Sequence, residues 1–148
     1  MPDIQIRPLR TGDESDWRRL WTLYLEFYGS AVSEDVYTTT WQRLLSGMPG
    51  EVRGLIALQG GHAVGITHYL FHRHAWKVEN VCYLQDLYVD AEVRGAGLGR
   101  ALIEAVYSAA DDAGSPSVYW LTQHFNEPGR RLYDRIGKLT PFIRYDRF

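Results

Sequence analysis

Leu87-Tyr88-Val89-Asp90-Ala91-Glu92-Val93-Arg94-Gly95-Ala96-Gly97-Leu98-Gly99-Arg100-Ala101-Leu102 is the stretch on which the reading of this chain turns. A run of β-formers gives way to a short turn, a glycine-rich loop and a helical pattern. Gly95, Gly97 and Gly99 carry no Cβ, so backbone N–H groups can turn toward one point. The helix that starts there adds unpaired N–H groups and the positive end of its dipole. Arg94 and Arg100 add formal charge. Together these features predict an anion site suited to a pyrophosphate. Other phosphate loops fail on spacing. No Lys follows the glycines, as GxxxxGK[ST] requires. The run is GxGxG rather than GxGxxG, and too little chain follows Gly99 for the usual second half of a dinucleotide fold. A protein-kinase loop lacks the rest of its signature. The plain structural alternative is a glycine-rich turn with no ligand; the flanking strand, helix and arginines all speak against it.

Working outward, Asp3 to Leu9 alternates apolar and polar residues and reads as a strand. Thr11 or Asp13 can cap a helix that carries Trp17, Leu20, Trp21, Tyr24, Leu25 and Tyr28 at helical spacing, and Gly29 stops it. Ser33, followed by Glu34 and Asp35, opens a second helix running to Ser46. Val52 to Gln59 and His62 to His72 are strands joined by the hairpin signal Gly60-Gly61. His74 to Asn80 is a loop and Val81 to Val89 a strand. Leu98 to Ala113 is the clearest helix, with Leu98, Leu102, Ala105, Val106 and Ala109 on one face and Gly114 at its end. Ser117 to Thr122 is a strand, Glu127 to Ile136 a short helix, and Phe142 to Tyr145 a final strand. This order predicts an α/β (mixed α+β) domain over residues 1–148. Its sheet is mixed and mostly antiparallel, with helices on both faces and a strand–helix–strand crossover that makes Val81–Val89 parallel to Ser117–Thr122.

Composition bounds the function. With 148 residues, 45% apolar and 23% charged, the chain suits one soluble domain with a real core. A net charge of −2 provides no global basic field for nucleic acid. No apolar run approaches the roughly 20 residues of a membrane helix, and the first residues do not read as a signal peptide. The single cysteine, Cys82, excludes an internal disulfide and a thiolate metal cluster, and the simplest compartment is a reducing cytoplasm.

Arg94-Gly95-Ala96-Gly97-Leu98-Gly99 matches the Q/R-x-x-G-x-G/A signature of the GNAT superfamily of N-acetyltransferases. Tyr83-Leu84-Gln85-Asp86-Leu87-Tyr88-Val89 before it, and Asn126 with Leu132-Tyr133 after the next strand, strengthen the match. The chain resembles the polyamine, thialysine and histone-and-polyamine branch, with Val118 through Tyr133 most similar to the last group. The element order resembles that fold over nearly the whole chain. The resemblance implies an acetyl-coenzyme A site in which Arg94, Gly95, Gly97, Gly99 and Arg100 hold the pyrophosphate. It implies that backbone groups of Leu87 and Val89 pair with the acetyl carbonyl and the pantetheine arm, and that Asn126 bonds the cofactor near the pantetheine. Asn126 can also simply cap the helix beginning at Glu127.

Acyl transfer to an amine needs the amine neutral, an oxyanion donor and a proton for the leaving thiolate. By resemblance, the Leu87 N–H is the donor and Tyr133 the general acid beside the coenzyme A sulfur. Tyr133 lies about two helical turns from Asn126, so both can face one cleft; it can equally be a core aromatic. The branch usually has Glu-Asp where this chain has Gln85-Asp86, and Gln85 cannot take a proton. Asp86 is left as the catalytic carboxylate, attracting a cationic acceptor or working through water, unless it is a buried Asp paired with Arg. Cys82 has no evident His partner, so direct attack in a ternary complex is expected rather than an acetyl-cysteine.

Other signals have plainer readings. His68, His72 and His74 share a strand face but lack a metal-ligand set, and an exposed hairpin end is expected of them; no metal is expected. Glu26, Glu34 and Asp35 with Tyr24, Tyr28 and Tyr37 suit a cationic acceptor, although Glu34 and Asp35 also sit where a helix start wants them. The family commonly ends in two strands and this chain offers one. An edge strand from another subunit, hence a homodimer, is expected. The expected activity is transfer of acetyl from acetyl-coenzyme A to a small primary amine such as a polyamine or an amino acid. The rivals are a protein lysine or N-terminus as acceptor, and a non-catalytic acyl-coenzyme A sensor.

Overall fold

Gly60 and Gly61 have φ of 57° and 85°, the left-handed pair that a two-residue type I′ hairpin demands. In the computed structural model, which describes residues 3–148, this turn joins β2 (Arg53–Gln59) to β3 (His62–His72), with Gln59 opposite His62. β1 (Ile4–Pro8) pairs antiparallel with β2, and β4 (Val81–Val89) antiparallel with β3. β5 (Val118–Tyr119) joins β4 in parallel, giving the order β1-β2-β3-β4-β5. The mixed α/β architecture with one parallel crossover is the expected one.

Helices cover both faces. On one, α1 (Glu14–Phe27) and α2 (Glu34–Ser46) pack Trp17, Leu20, Trp21, Trp41 and Leu44 onto Ile56, Ile66 and Tyr88. On the other, α3 (Leu98–Asp112) sets Leu98, Leu102, Ile103, Val106 and Ala110 against Leu55, Ala57, Val64, Cys82 and Leu84. Each fully buried Leu, Ile or Val among them contributes about 1.5–3 kcal/mol. α4 (Glu127–Ile136) closes that side through Leu132, Tyr133 and Ile136. Thr11–Asp13 forms a 3-10 turn before α1 instead of a simple cap. The Asp13 carboxylate accepts the Arg10 N–H at 2.7 Å and both Arg7 guanidinium nitrogens at 2.7 and 2.9 Å.

A bulge in β4 decides which of its side chains face α3. His68 pairs with Asp86 but Tyr69 with Leu84, so Gln85 is the extra residue. Side chains alternate along a strand, and one extra residue flips the parity. Cys82 and Leu84 face α3 before the bulge; Leu87 and Val89 face it afterwards.

Two expected strands are corrected. Ser117 to Thr122 shrinks to Val118–Tyr119 because β4 and β5 part after the Tyr83–Tyr119 pair. Trp120 turns instead to pack against Tyr107 and Tyr133. Phe142 to Tyr145 is not a strand. Pro141 has no N–H to give a ladder, and Phe142, Ile143 and Tyr145 are 79%, 77% and 89% exposed and pair with no strand among the described residues.

Candidate active site

The parting of β4 and β5 opens a cleft of about 560 Å³. One wall is α1 and its C-cap, through Tyr24, Phe27 and Tyr28. The floor is the edge of β4 from Leu87 to Val89, one end is the loop from Arg94 to Arg100, and the far wall is α4. Cys82 N–H donates to Ser117 O at 2.8 Å on this edge. Beyond Tyr83 no strand pairs the edge among the described residues. Alternation past the bulge brings the peptide groups of Leu87 and Val89 to the same side.

At the loop, Gly95 and Gly97 have φ of 91° and 79°, a conformation that strains any residue with a Cβ. Gly97 is the N-cap of α3 and offers no side-chain cap. Ala101 is bonded back to Gly97 O, so the N–H groups of Leu98, Gly99 and Arg100 are the helix's orphan donors. Arg94 Nε donates to Val89 O at 2.9 Å, and its guanidinium lies 5.3 Å from the Tyr88 ring and 5.7 Å from that of Phe27. Arg100 Nε donates to Glu104 Oε1 at 2.6 Å on the helix surface. A Cβ on Gly99 would meet Leu132 at 3.5 Å, an ordinary contact. Packing within the chain therefore does not call for glycine at that position.

α4 supplies the opposite wall. Asn126 caps it: Oδ1 accepts the Gly129 N–H at 3.3 Å and Nδ2 donates to Thr122 Oγ1 at 3.0 Å. The second amide hydrogen and the remaining carbonyl lone pair are left for other use. Tyr133 packs edge-on against Trp120 at 5.5 Å. Burial, and then the neighbouring Tyr28, raise its hydroxyl above the ordinary tyrosine range. A small recess beside the cleft, bounded by Gln85, Leu84, Trp120 and Leu121, shares Tyr24, Tyr28, Leu87 and Tyr133 with it.

Leu87, Val89, Arg94, Gly95, Gly97, Gly99, Arg100, Asn126 and Tyr133 thus line one cleft. Asp86 is not in its wall. It sits behind, with Oδ2 2.8 Å from His68 Nδ1. The Arg partner anticipated for a buried Asp86 is replaced by His68, because the pairing register sets the two opposite each other across β3 and β4. His68 is accordingly no exposed hairpin end; it is 1% exposed and under α1. Glu34 does not reach the cleft, since Arg18 holds it at 2.8 Å. Tyr37 packs against Trp17 and Trp21 and bonds Thr22. Two contributors escaped the sequence reading. Phe27 lines the cleft beneath Arg94, and Gly129 leaves room for the Asn126 cap, because a Cβ there would stand 2.5 Å from Asn126 Nδ2. Helical spacing carries the signal for Phe27, one position before Tyr28; nothing in the sequence marks Gly129. Cys82 is buried, which pushes its thiol up to about 11.

Known proteins give the same picture. The model of the acetyltransferase (GNAT) family matches residues 17–137. The D-amino-acid N-acetyltransferase HPA3 of Saccharomyces cerevisiae is 38% identical over 97% of this chain and 90% of its own length. A thialysine N-epsilon-acetyltransferase of Bos taurus is 35% identical over 53% of this chain and 46% of its own. Among solved structures, the aminoglycoside N-acetyltransferase AAC(6')-Iy in complex with CoA superposes with a TM-score of 0.85 at 17% identity, covering 100% of this chain and 96% of that one. Motif, cleft and relatives agree: the chain belongs to the acetyltransferase (GNAT) family and is an enzyme of the acetyl-coenzyme A-dependent N-acetyltransferase class.

Proposed function

We propose that this protein acetylates a small primary amine by direct attack within a ternary complex. One observation carries the reading: a single cleft joins the orphan amides and arginines at the start of α3 to the open edge of β4 and to Tyr133. The donor set fits coenzyme A. Space around Gly95 and Gly97 is open, and Gly99 is a glycine that packing does not demand. Backbone N–H groups and two guanidiniums suit a pyrophosphate.

Acetyl-coenzyme A supplies an acetyl group activated as a thioester. Arg94, Gly95, Gly97, Gly99 and Arg100 hold its diphosphate. The Leu87 N–H faces the acetyl oxygen, and Val89 and Asn126 orient the pantetheine arm. Tyr133 holds a proton at Oη and gives it up as the thiol departs. Asp86 supplies negative charge for the acceptor's ammonium from behind Tyr24 and Tyr28. Gln85 at the bulge cannot act as a base, so the amine loses its proton to water.

The names of two relatives, acting on a D-amino acid and on thialysine, favour amino-acid amines ahead of polyamines. A reducing cytoplasmic setting and a homodimer complete the reading. The test is thiol release from acetyl-coenzyme A with a panel of D- and L-amino acids, polyamines, aminoglycosides and histone-tail peptides. Small amines are expected to react. Heat of coenzyme A binding with no turnover on any amine would mark a sensor instead. Replacing Arg94 with Ala raises the acetyl-coenzyme A KM; an unchanged KM refutes the pyrophosphate assignment.

A further inference from the structure

Behind the cleft lies a chain of polar contacts in which the acetyl-coenzyme A site takes no part. Trp17 Nε1 is 2.9 Å from His68 Nε2, and His68 Nδ1 is 2.8 Å from Asp86 Oδ2. Trp17 is 0% and His68 1% exposed, while the Asp86 side chain keeps 16%. An indole N–H can only donate. His68 Nε2 must therefore accept, its proton sits on Nδ1, and that N–H donates to Asp86. The donor-only indole and the acceptor-only carboxylate fix the direction of both bonds alike.

The surroundings give this order a purpose. Trp17, Trp21, Trp41, Ile56 and Ile66 make the layer beneath Asp86 apolar, where an unpartnered carboxylate is costly. Thr67 Oγ1 donates to the Asp86 carbonyl at 2.8 Å and fixes the backbone as well. With Oδ2 taken by His68, the carboxylate also receives the hydroxyl of Tyr24, which carries its charge to the cleft wall. The titratable groups that feel the Asp86 charge are Tyr24 and Tyr28 from α1 and Tyr83 from β4, with His68 on β3. Tyr24 and Tyr28 line both the cleft and its recess. A fixed carboxylate behind aromatic faces is the arrangement that receives an alkylammonium ion.

We propose that Trp17 and His68 are positioning residues of acetyl transfer: they hold the Asp86 carboxylate behind Tyr24 and Tyr28 as the counter-charge that draws in the acceptor's ammonium group. This rests on the proposed role of Asp86 in attracting that ammonium. A histidine that merely filled the core would show no dependence on Asp86. The positioning role requires it.

The experiment pairs nitrogen-detected NMR of the histidine rings with steady-state kinetics. The kinetics use acetyl-coenzyme A and whichever of lysine, D-phenylalanine and spermidine wild type turns over fastest. The spectrum of wild type shows His68 as the Nδ1–H tautomer with Nε2 unprotonated, whereas an Nε2–H ring would contradict both bond directions and overturn the proposal. Asp86→Asn and His68→Phe each raise the amine KM about tenfold and leave the acetyl-coenzyme A KM alone. His68→Asn, whose amide can take the place of the Nδ1–H, recovers to within about threefold of wild type. The double variant His68→Phe/Asp86→Asn is no worse than either single one. If Asp86→Asn raises the amine KM while His68→Phe does not, or if the two losses add, the positioning role is refuted and the counter-charge reading survives. If Asp86→Asn leaves the amine KM unchanged, the counter-charge reading itself falls. Should His68→Phe fail to fold, the amine KM of Trp17→Phe decides: a rise supports the positioning role, and an unaltered value overturns it.

Discussion

Tyr133 shows how a residue's surroundings set its use. Burial and Tyr28 raise its hydroxyl above the ordinary value, so it stays protonated throughout the neutral range. A raised pKa keeps the acid form available until the pH passes that higher value. The kcat profile with a small amine is therefore expected to rise toward the amine's own pKa with no fall from Tyr133 below pH about 10. Tyr133→Phe keeps the edge contact with Trp120 and removes the proton, lowering kcat by about 10²-fold or more with little change in the affinity for coenzyme A. Equal loss in both, or none, refutes the general-acid role. Cys82 makes the opposite case: with the thiol pushed up to about 11, the thiolate is scarce at pH 8. Native protein is expected to resist iodoacetamide at pH 8 while unfolded protein is labelled, and fast labelling of the folded form would reopen an acetyl-cysteine route. The sequence exposed the cleft residues because glycine spacing and helical spacing are local. It hid the His68–Asp86 pair because the two lie on neighbouring strands, and only the pairing register brings them together. A histidine among alternating residues looks like a surface group until α1 is laid over it.

At the scale of elements, two small devices fix the ends of the cleft's helices. Arg7 on β1 grips Asp13 ahead of α1 through two bonds in a half-buried place. The Arg7 guanidinium holds the Asp13 carboxyl below the usual carboxylate range, although burial opposes it. A depressed folded pKa gives stability that is complete above the unfolded value near 3.9 and lost as pH falls through the folded one. Asp13→Asn should thus cost about 1.5–3 kcal/mol at pH 7. Its Tm should converge on that of wild type as the pH falls through the depressed folded-state pKa; melting curves that stay parallel across the series would remove the pair from the stability account. At α4, Gly129→Ala pushes on Asn126, so the variant is expected to lose the cap, about 1 kcal/mol, and to raise the acetyl-coenzyme A KM. A crystal of the variant with Asn126 unmoved would sink that expectation. Helix positions were legible because Trp17, Leu20, Trp21 and Tyr24, or Leu98, Leu102 and Val106, repeat at the helical period. The bulge was not, since Gln85 looks like any polar residue in a strand and its extra place appears only opposite Tyr69 and His68.

For the whole molecule, the question is what the stretch after α4 packs against. Leu139, Phe142, Ile143, Tyr145 and Phe148 are 71%, 79%, 77%, 89% and 122% exposed, and a monomer rarely leaves so many large apolar side chains together in water. The neighbouring β5 is two residues long. Phe142 to Tyr145 is rich in β-formers, but a strand exists only with a partner edge. The element order and the parallel crossover were legible because each depends on neighbours in sequence. The fate of this stretch was not, because it depends on what docks there. A second copy of the chain would supply both the edge and the apolar cover, and two-fold pairing is the commonest form of homo-oligomer. Sedimentation at micromolar concentration is therefore expected to give a dimer, and replacing Phe142 and Ile143 with Ser a monomer that still binds coenzyme A at the α3 loop. A wild-type monomer under those conditions would refute the pairing, and a double variant that stays dimeric would place the interface elsewhere on the surface.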